Sequence, residues 1–191
     1  MSIPKKAFYF MRHGETNWNN QQLYMGSSDI PLNKVGIEQA EIAAQLLKSH
    51  RIEHIISSPL LRAYKTAQII SEVINKPITL LEGLKERYLG KKEGKLISKN
   101  THISKWLAED ALLGEEPSQN FQERVINAIT HTLNQHPEPS LIIAHGGVYC
   151  ALSIKLNWPL VELKNCQTLY HKPSKELLNL WDISEIGFNK D

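Results

Sequence analysis

The sequence predicts a three-layer α/β/α sandwich in which a mostly parallel central sheet lies between two layers of helices. Short apolar runs typical of buried strands alternate with longer amphipathic segments typical of helices, and no repeat or long Gly/Ser/Pro-rich linker interrupts them. The length of 191 residues is that of one ordinary domain, so we expect a single domain over residues 1–191. Ligands of such sheets bind beyond the carboxyl ends of the strands.

The first three elements are a strand, a helix and a strand. The aromatic-rich run KAFYFMR, residues 6–12, stops at His13-Gly14 as a buried strand would. Asn33 is a good N-cap for a helix that continues to about Lys48, with alanines and a leucine along one face. The run IEHIIS, residues 52–57, predicts the second strand.

The middle of the chain begins with a helix and a short strand and then becomes polar. Pro59 suits the first turn of a helix that runs to about Val73. Residues 78–81 predict a third strand. The stretch over residues 85–116 has little apolar periodicity, and within it we expect one short helix over residues 104–111.

The last predicted pair of elements repeats the pattern of the first strand. Residues 121–133 predict a helix, and SLIIA over residues 140–144 predicts a strand. This strand also ends at a histidine followed by glycine, in His145-Gly146-Gly147. A sheet of this class brings the two His-Gly steps to the same edge.

Composition excludes several classes of protein. With 41% hydrophobic and 22% charged residues the chain is globular, and a net charge of +2 does not favour nucleic acid or an anionic membrane as a partner. The apolar run after Lys5 and Lys6 is too short for a signal peptide or a membrane span. Two cysteines form no disulfide framework or Cys-x-x-Cys zinc pair, so we expect a cytoplasmic protein.

The paired His-Gly steps predict an anion site, and phosphate is the anion that fits best. Glycine after histidine lets backbone N–H groups approach an anion closely. Arg12 adds a planar guanidinium that matches phosphate oxygens, and Arg62, early in the predicted helix, adds a second cation. Two fixed cations neutralise a phosphate dianion.

The run FYFMRHGETNWN resembles the signature of the histidine phosphatase superfamily, the phosphoglycerate mutase-like proteins. Further matching blocks follow in the family's order between Phe8 and about Leu152: Gly26, Asp29, Pro31-Leu32, Gly36, Gln39-Ala40, SSPLLRAYKTA (residues 57–67), Leu84-x-Glu86, Gly90, Glu93-Gly94 and IIAHGG (residues 142–147). The resemblance implies the phosphoglycerate mutase-like fold.

The resemblance also implies roles for individual residues. His13 attacks phosphorus and becomes a phosphohistidine, the phosphoryl group being surrounded by Arg12, Asn19, Arg62, His145 and the Gly146 backbone. Glu86 protonates the leaving alkoxide and then activates water, although Glu93 competes for that assignment. With arginine and backbone donors stabilising the transition state, no metal and no cofactor are expected.

The predicted function is therefore metal-independent hydrolysis of small phosphorylated metabolites. A phosphoglycerate mutase shares the phosphoenzyme but returns the phosphoryl group to a bound sugar acid. A phosphate-binding regulatory module without turnover is the third hypothesis, and the presence of all the predicted catalytic residues argues against it. Two departures from the family pattern, at Lys92 and at residues 115–118, fall where the pocket rim is expected, so the substrate cannot be carried over by analogy.

Overall fold

One six-stranded mixed sheet forms the centre of the protein in a computed structural model that describes residues 3–98, 114–175 and 181–187. Its strands are β1 (Phe8–Arg12), β2 (His54–Ser57), β3 (Ile78–Leu80), β4 (Ser140–Ala144), β5 (Thr168–Pro173) and β6 (Trp181–Ile186). Their order is β3-β2-β4-β1-β5-β6. The first four run parallel to one another, whereas β5 pairs antiparallel with both β1 and β6.

Five α-helices are found in the described part of the chain: α1 (Asn17–Asn20), α2 (Lys34–Leu47), α3 (Leu61–Ile74), α4 (Ser118–Gln135) and α5 (Gly146–Leu156). Two 3₁₀ turns, Glu82–Leu84 and Gly90–Lys92, lie between β3 and α4. Asn33 caps α2 as predicted, because its side chain accepts the Gly36 N–H at 2.8 Å. None of these helices is both long and apolar enough to cross a membrane.

Alternation along the central strands divides the core into two layers. Phe8 and Phe10 of β1 face α4 and α5, together with Ile142 of β4. The intervening Tyr9 and Met11 face the opposite layer, where α2 and α3 pack. Because successive strand residues point to opposite faces, the same short runs fill both cores. The predicted α/β/α architecture is confirmed.

The largest differences from the predicted element boundaries are at α3, β2 and α4. Helix α3 begins at Leu61, so placing Pro59 in its first turn was wrong; Leu60 is still extended, and the Asp29 carboxylate accepts the Leu61 N–H at 2.6 Å. Strand β2 begins at His54 rather than at residue 52, and α4 extends beyond the predicted 121–133 at both ends. The helix predicted over residues 104–111 lies outside the described residues.

Candidate active site

The register of the central strands brings the two His-Gly steps side by side. Arg12 at the end of β1 lies opposite Ala144 at the end of β4, and the His13 N–H donates to the Ala144 carbonyl at 3.0 Å. On the other side of β4, the Ser58 N–H donates to the Ile143 carbonyl. The predicted meeting of the strand ends therefore occurs, with 5.2 Å between the ring centroids of His13 and His145.

The protonation of the His13 ring is fixed by two neighbours. Its Nδ1 lies 2.7 Å from the Gly14 carbonyl, which can only accept, so Nδ1 carries the hydrogen. Its Nε2 accepts from Nε of Arg62 at 3.3 Å, which leaves the lone pair on Nε2. Burial, followed by the charges of Arg62 and Arg12, holds the pKa of His13 well below its ordinary value. The ring is therefore neutral near pH 7 and nucleophilic at Nε2.

The loop after His13 is held in place by close backbone packing. A Cβ on Gly14 would lie 2.4 Å from the Gly36 carbonyl oxygen, so no larger residue fits here without moving α2. The Gly14 N–H donates to Oγ1 of Thr66 at 3.0 Å, and the Thr66 hydroxyl donates to the Arg62 carbonyl at 2.7 Å. Thr66 therefore ties the histidine loop to the helix that carries Arg62.

Arg12 and Arg62 are both anchored by main-chain carbonyls. Arg62 is fully buried, and its two terminal nitrogens donate to the carbonyls of Gly26 and Ser28, each at 2.8 Å. Arg12 donates from Nη1 to the Leu163 carbonyl at 2.6 Å, while its buried Nε finds no partner within the described ranges. Burial lowers the pKa of both guanidinium groups, to about 10 for Arg62. Guanidinium stays protonated in proteins near neutral pH.

His145 lies at the start of α5 and is held by a serine. Its Nε2 is 2.8 Å from Oγ of Ser58, and that oxygen already accepts the Leu60 N–H at 3.3 Å. The Ser58 hydroxyl keeps its hydrogen and a second lone pair, so it pairs with Nε2 in either neutral tautomer of the ring. Nδ1 is buried and has no partner in the described part of the chain. Burial, then Arg62, lowers the pKa of His145 well below its usual range.

Glu86 and Glu93 occupy different environments. Glu86 accepts the N–H groups of Gly147 and Arg87, each at 2.9 Å, and burial raises the pKa of its carboxyl against these two hydrogen bonds. Glu93 instead accepts from the backbone N–H groups of Ser27 and of Leu89, each at 3.0 Å, and so links the two loops that contain them. Of the two carboxylates, Glu86 lies on the cavity wall described next and Glu93 does not.

A cavity of about 180 Å³ opens over these groups. Its inner end is formed by Arg12, His13, Arg62 and Gly146, while Asn19 and Glu86 lie alongside. We call the apolar remainder the outer wall: Leu23, Tyr24, Met25, Leu89, Ile97 and Leu163. His145 stands behind this surface, beside His13. All the predicted site residues except His145 therefore line one cavity. Within the described residues no group of three metal-ligating side chains is found.

Asn19 reaches the cavity from a short capped helix. Its Oδ1 accepts the Thr16 N–H at 3.1 Å while the Thr16 hydroxyl caps α1, which is a reciprocal capping box. Asn165 donates from Nδ2 to the His13 carbonyl at 3.0 Å and approaches Asn19 Oδ1 at 3.5 Å. Asn19 and the nucleophile loop are thereby held by one shared neighbour.

The family comparison decides the identity of this arrangement. The model of "Histidine phosphatase superfamily (branch 1)" matches residues 8–174. The chain belongs to the histidine phosphatase superfamily. This confirms the resemblance read from the sequence.

Similar members of the superfamily have different names. The "Uncharacterized phosphatase PhoE" of Bacillus subtilis is 33% identical over 160 residues, covering 83% of this chain and 81% of that protein. The "Probable phosphoglycerate mutase GpmB" of Proteus mirabilis is 32% identical over 197 residues, covering 94% and 91%. The solved structure of Bacillus stearothermophilus YhfR superposes with a TM-score of 0.78 at 24% identity, covering 94% and 95%, and supports the fold.

Four residues of this histidine phosphatase support the site without having been predicted to do so. Ser58 and Thr66 lie inside a block that matches the family, but the match gave them no role. Asn165 lies beyond the last matching block. Only the folded chain shows which backbone groups they contact, because each acts through a partner far away in sequence.

The fourth, Arg124 of α4, fixes the segment that carries Glu86. It donates to the carbonyls of Gly83, Lys85 and Glu86 at 3.0, 2.7 and 3.1 Å. Its guanidinium also pairs with Glu116, at 2.6 Å from Nε and 2.8 Å from Nη2. Because planar guanidinium presents five donors, one side chain can hold several carbonyls and a carboxylate together.

Proposed function

We propose that this protein hydrolyses phosphomonoesters through a phosphohistidine formed on His13. The observation that carries the proposal is the state of the His13 ring. A neutral imidazole with its lone pair on Nε2 lies at the inner end of a cavity, between two buried guanidinium groups. This is what attack on a phosphoryl dianion requires.

In the first half-reaction, Nε2 of His13 bonds to phosphorus as the bond to the ester oxygen breaks. Arg12, Arg62 and the backbone near Gly146 stabilise the charge that spreads over the phosphoryl oxygens. Nε of Arg12 and, in the tautomer protonated there, Nδ1 of His145 have no partner within the described residues and can donate to those oxygens. Both are fixed before substrate arrives, so little reorganisation accompanies the reaction.

Glu86 handles the proton in both half-reactions. Burial raises the pKa of the Glu86 carboxyl, which favours the protonated form that gives its proton to the departing alkoxide. The resulting carboxylate then takes a proton from water as the water oxygen attacks phosphorus. Inorganic phosphate leaves, and His13 is neutral again. Acid catalysis of this kind typically raises the reaction rate about 10²–10⁴-fold.

Chemical trapping tests the covalent step. Enzyme mixed with ³²P-labelled ester and quenched in alkali within milliseconds should retain one label per chain, and peptide mapping should locate it on His13. A label on His145, Ser57 or Ser58 would overturn the assignment.

We further propose that turnover is independent of divalent metal, since the two fixed guanidinium groups supply the charge that a metal would otherwise supply. Activity in EDTA should equal activity in untreated buffer. Loss of activity on chelation, restored by one particular metal, would contradict the mechanism.

A phosphoglycerate mutase is the second candidate, favoured by the name of the Proteus mirabilis relative. Both reactions pass through the same phosphohistidine and differ only in whether water or a bound sugar acid receives the phosphoryl group. Hydrolysis is preferred because the Bacillus subtilis relative, at 33% identity, is named a phosphatase. Incubation with 3-phosphoglycerate and a trace of 2,3-bisphosphoglycerate separates them. Formation of 2-phosphoglycerate much faster than inorganic phosphate would establish the mutase instead.

A further inference from the structure

The outer wall of the cavity differs in chemistry from the inner end. Its six side chains are apolar or aromatic, and Ile97 is 38% exposed at the mouth. The segments that carry this wall are hydrogen-bonded to one another: the Ile97 N–H donates to the Gln22 carbonyl at 2.8 Å, and the Tyr24 N–H to the Lys95 carbonyl at 2.9 Å. The wall is therefore a preformed apolar surface beside the position of the leaving group.

Among the described lining residues, the charged side chains outside the inner end are carboxylates. Glu86 and Glu162 are the two carboxylates on the cavity lining, and the cations among the described lining residues, Arg12 and Arg62, both belong to the inner end. The guanidinium nitrogens of Arg62 donate hydrogen bonds to His13 and to two carbonyls. Lys92 lies off the cavity wall and pairs with Glu115 at 2.9 Å.

Glu162 is positioned by the residue after it. The Leu163 carbonyl accepts the hydrogen bond from Arg12 at 2.6 Å, so the backbone beside Glu162 is fixed to the inner end. The side chain of Glu162 is exposed and lines the cavity. When the phosphoryl dianion has neutralised the two arginines, Glu162 is the exposed carboxylate of the described lining that the rest of the substrate meets.

We propose that the leaving group is an alcohol with apolar surface and no acidic group, and that Glu162 favours a positively charged amine on it over a carboxylate. The proposal rests on the proposed hydrolysis and names its substrate class. The hydrocarbon part of the alcohol packs on the outer wall, because the walls of ligand pockets are mostly hydrophobic and aromatic side chains. A second anion on the substrate would face Glu162 and a largely apolar surface that offers it no cation among the described lining residues.

Three two-carbon esters of similar size test the charge preference: phosphoethanolamine, ethyl phosphate and phosphoglycolate. The quantity measured is the ratio of kcat/KM for phosphoethanolamine to kcat/KM for phosphoglycolate. Because the intrinsic reactivity of each ester is the same for every enzyme variant, this ratio can be compared between wild type and Glu162→Gln. We expect wild type to prefer phosphoethanolamine to phosphoglycolate, and the ratio to fall about tenfold in the variant, as two charges about 6 Å apart in a partly aqueous setting predict. Glu162→Lys should reverse the preference.

The matched control is Glu72→Gln, an exposed carboxylate near the end of α3, about 15 Å along the helix from Arg62. It makes the same change of net charge and should leave the ratio unchanged. High salt should shrink the wild-type ratio because the interaction is at an exposed site. An unchanged ratio in Glu162→Gln, or a wild-type preference for phosphoglycolate, would overturn the proposal.

The apolar part is tested with ethyl and butyl phosphate, whose leaving groups have nearly equal basicity. Each buried methylene should raise kcat/KM about two- to fourfold. Ile97→Asn should reduce that gain, whereas Ile42→Asn, at an exposed position on α2, should not. Equal kcat/KM for ethyl and butyl phosphate would refute the apolar contact. 4-Nitrophenyl phosphate is included throughout: no release of phosphate from it would overturn the hydrolytic function itself, a different failure.

Discussion

The inner end of the cavity and its outer wall are built in different ways. The inner end stands on strand ends whose register is set by the sheet, and backbone carbonyls such as those of Gly14 and Gly26 anchor its side chains. The outer wall comes from loops that are hydrogen-bonded mainly to one another. If the proposed function is correct, phosphoryl chemistry and leaving-group choice rest on separate parts of the chain, and substitutions should alter them separately.

The largest effect is expected at the inner end, where His13→Asn removes the nucleophile. Activity should fall about 10⁴-fold or more for every ester, and no labelled phosphoenzyme should form. Steady-state rates and trapping measure both. The control, His131→Asn, changes an exposed histidine on α4 and should behave as wild type. A loss of activity that differed strongly between esters would contradict the inference that the inner end and the outer wall act separately.

Glu86→Gln tests the boundary between the regions. It should slow alkyl phosphates about 10²–10³-fold but aryl phosphates less than tenfold, because a phenolate departs without a proton and an alkoxide does not. The dependence of rate on leaving-group pKa measures this difference. Glu93→Gln is the matched control, since Glu93 contacts loop backbone instead. If Glu93→Gln alone shows the dependence, the proton donor has been assigned to the wrong carboxylate.

Acid should lower the free energy of unfolding through histidines that burial keeps neutral in the folded protein. His171, buried between Phe8 and Trp158, has its pKa lowered by burial to about 4. Since this lies below the unfolded value near 6.5, the unfolded chain takes up the proton first as pH falls. Stability is full above about pH 6.5 and is lost toward pH 4, with about 2 kcal/mol gone at pH 5 from this residue alone.

Urea unfolding between pH 7.5 and 5 measures that loss. The lowered pKa values of His13 and His145 act in the same direction, so the fall in unfolding free energy should exceed the share of His171. His171→Gln should flatten the slope, while the outer-wall variant Ile97→Ala should leave it unchanged. Equal slopes for His171→Gln and wild type would show that the ring is not held neutral.

The smallest effect is expected at Arg124, which acts on the inner end only through Glu86. Arg124→Gln should lower kcat for alkyl phosphates about tenfold and leave KM and aryl phosphate turnover nearly unchanged, because the carboxyl is displaced but still present. Arg124→Lys should restore part of the loss. Arg51→Gln, which breaks an exposed ion pair with Glu53, is the control. A uniform loss for both ester classes would indicate general destabilisation instead of positioning.

The sequence predicted the inner end well because its information is local. Strands β1 and β4 appear as short apolar runs, and each is followed at once by its His-Gly step. The pairing of β5 and β6 on the other side of β1 was missed: Thr168–Pro173 contains a histidine, a lysine and a proline, and β6 alternates polar with apolar residues at an exposed edge.

The supports of the site were beyond sequence reasoning for a physical reason. The partner that orients His13 is a main-chain carbonyl, and every residue type has one, so no side chain marks it. In the sequence, nothing distinguishes Arg124 from other helix arginines. Its role is visible only in the fold, where it donates to the carbonyls of Gly83 and Glu86. The outer wall depends on loops whose contacts are fixed only after the sheet has formed.

The carbonyl of Gly14 also bears on how this protein tolerates genetic change. A backbone acceptor is encoded by no codon in particular, so no single substitution can delete the group that keeps the nucleophile in its working tautomer. Mutations can reach it only indirectly, by crowding the contact between Gly14 and Gly36 until the loop turns away. The nucleophile's orientation therefore presents a small mutational target, whereas the outer wall, made of replaceable side chains, leaves room for specificity to drift.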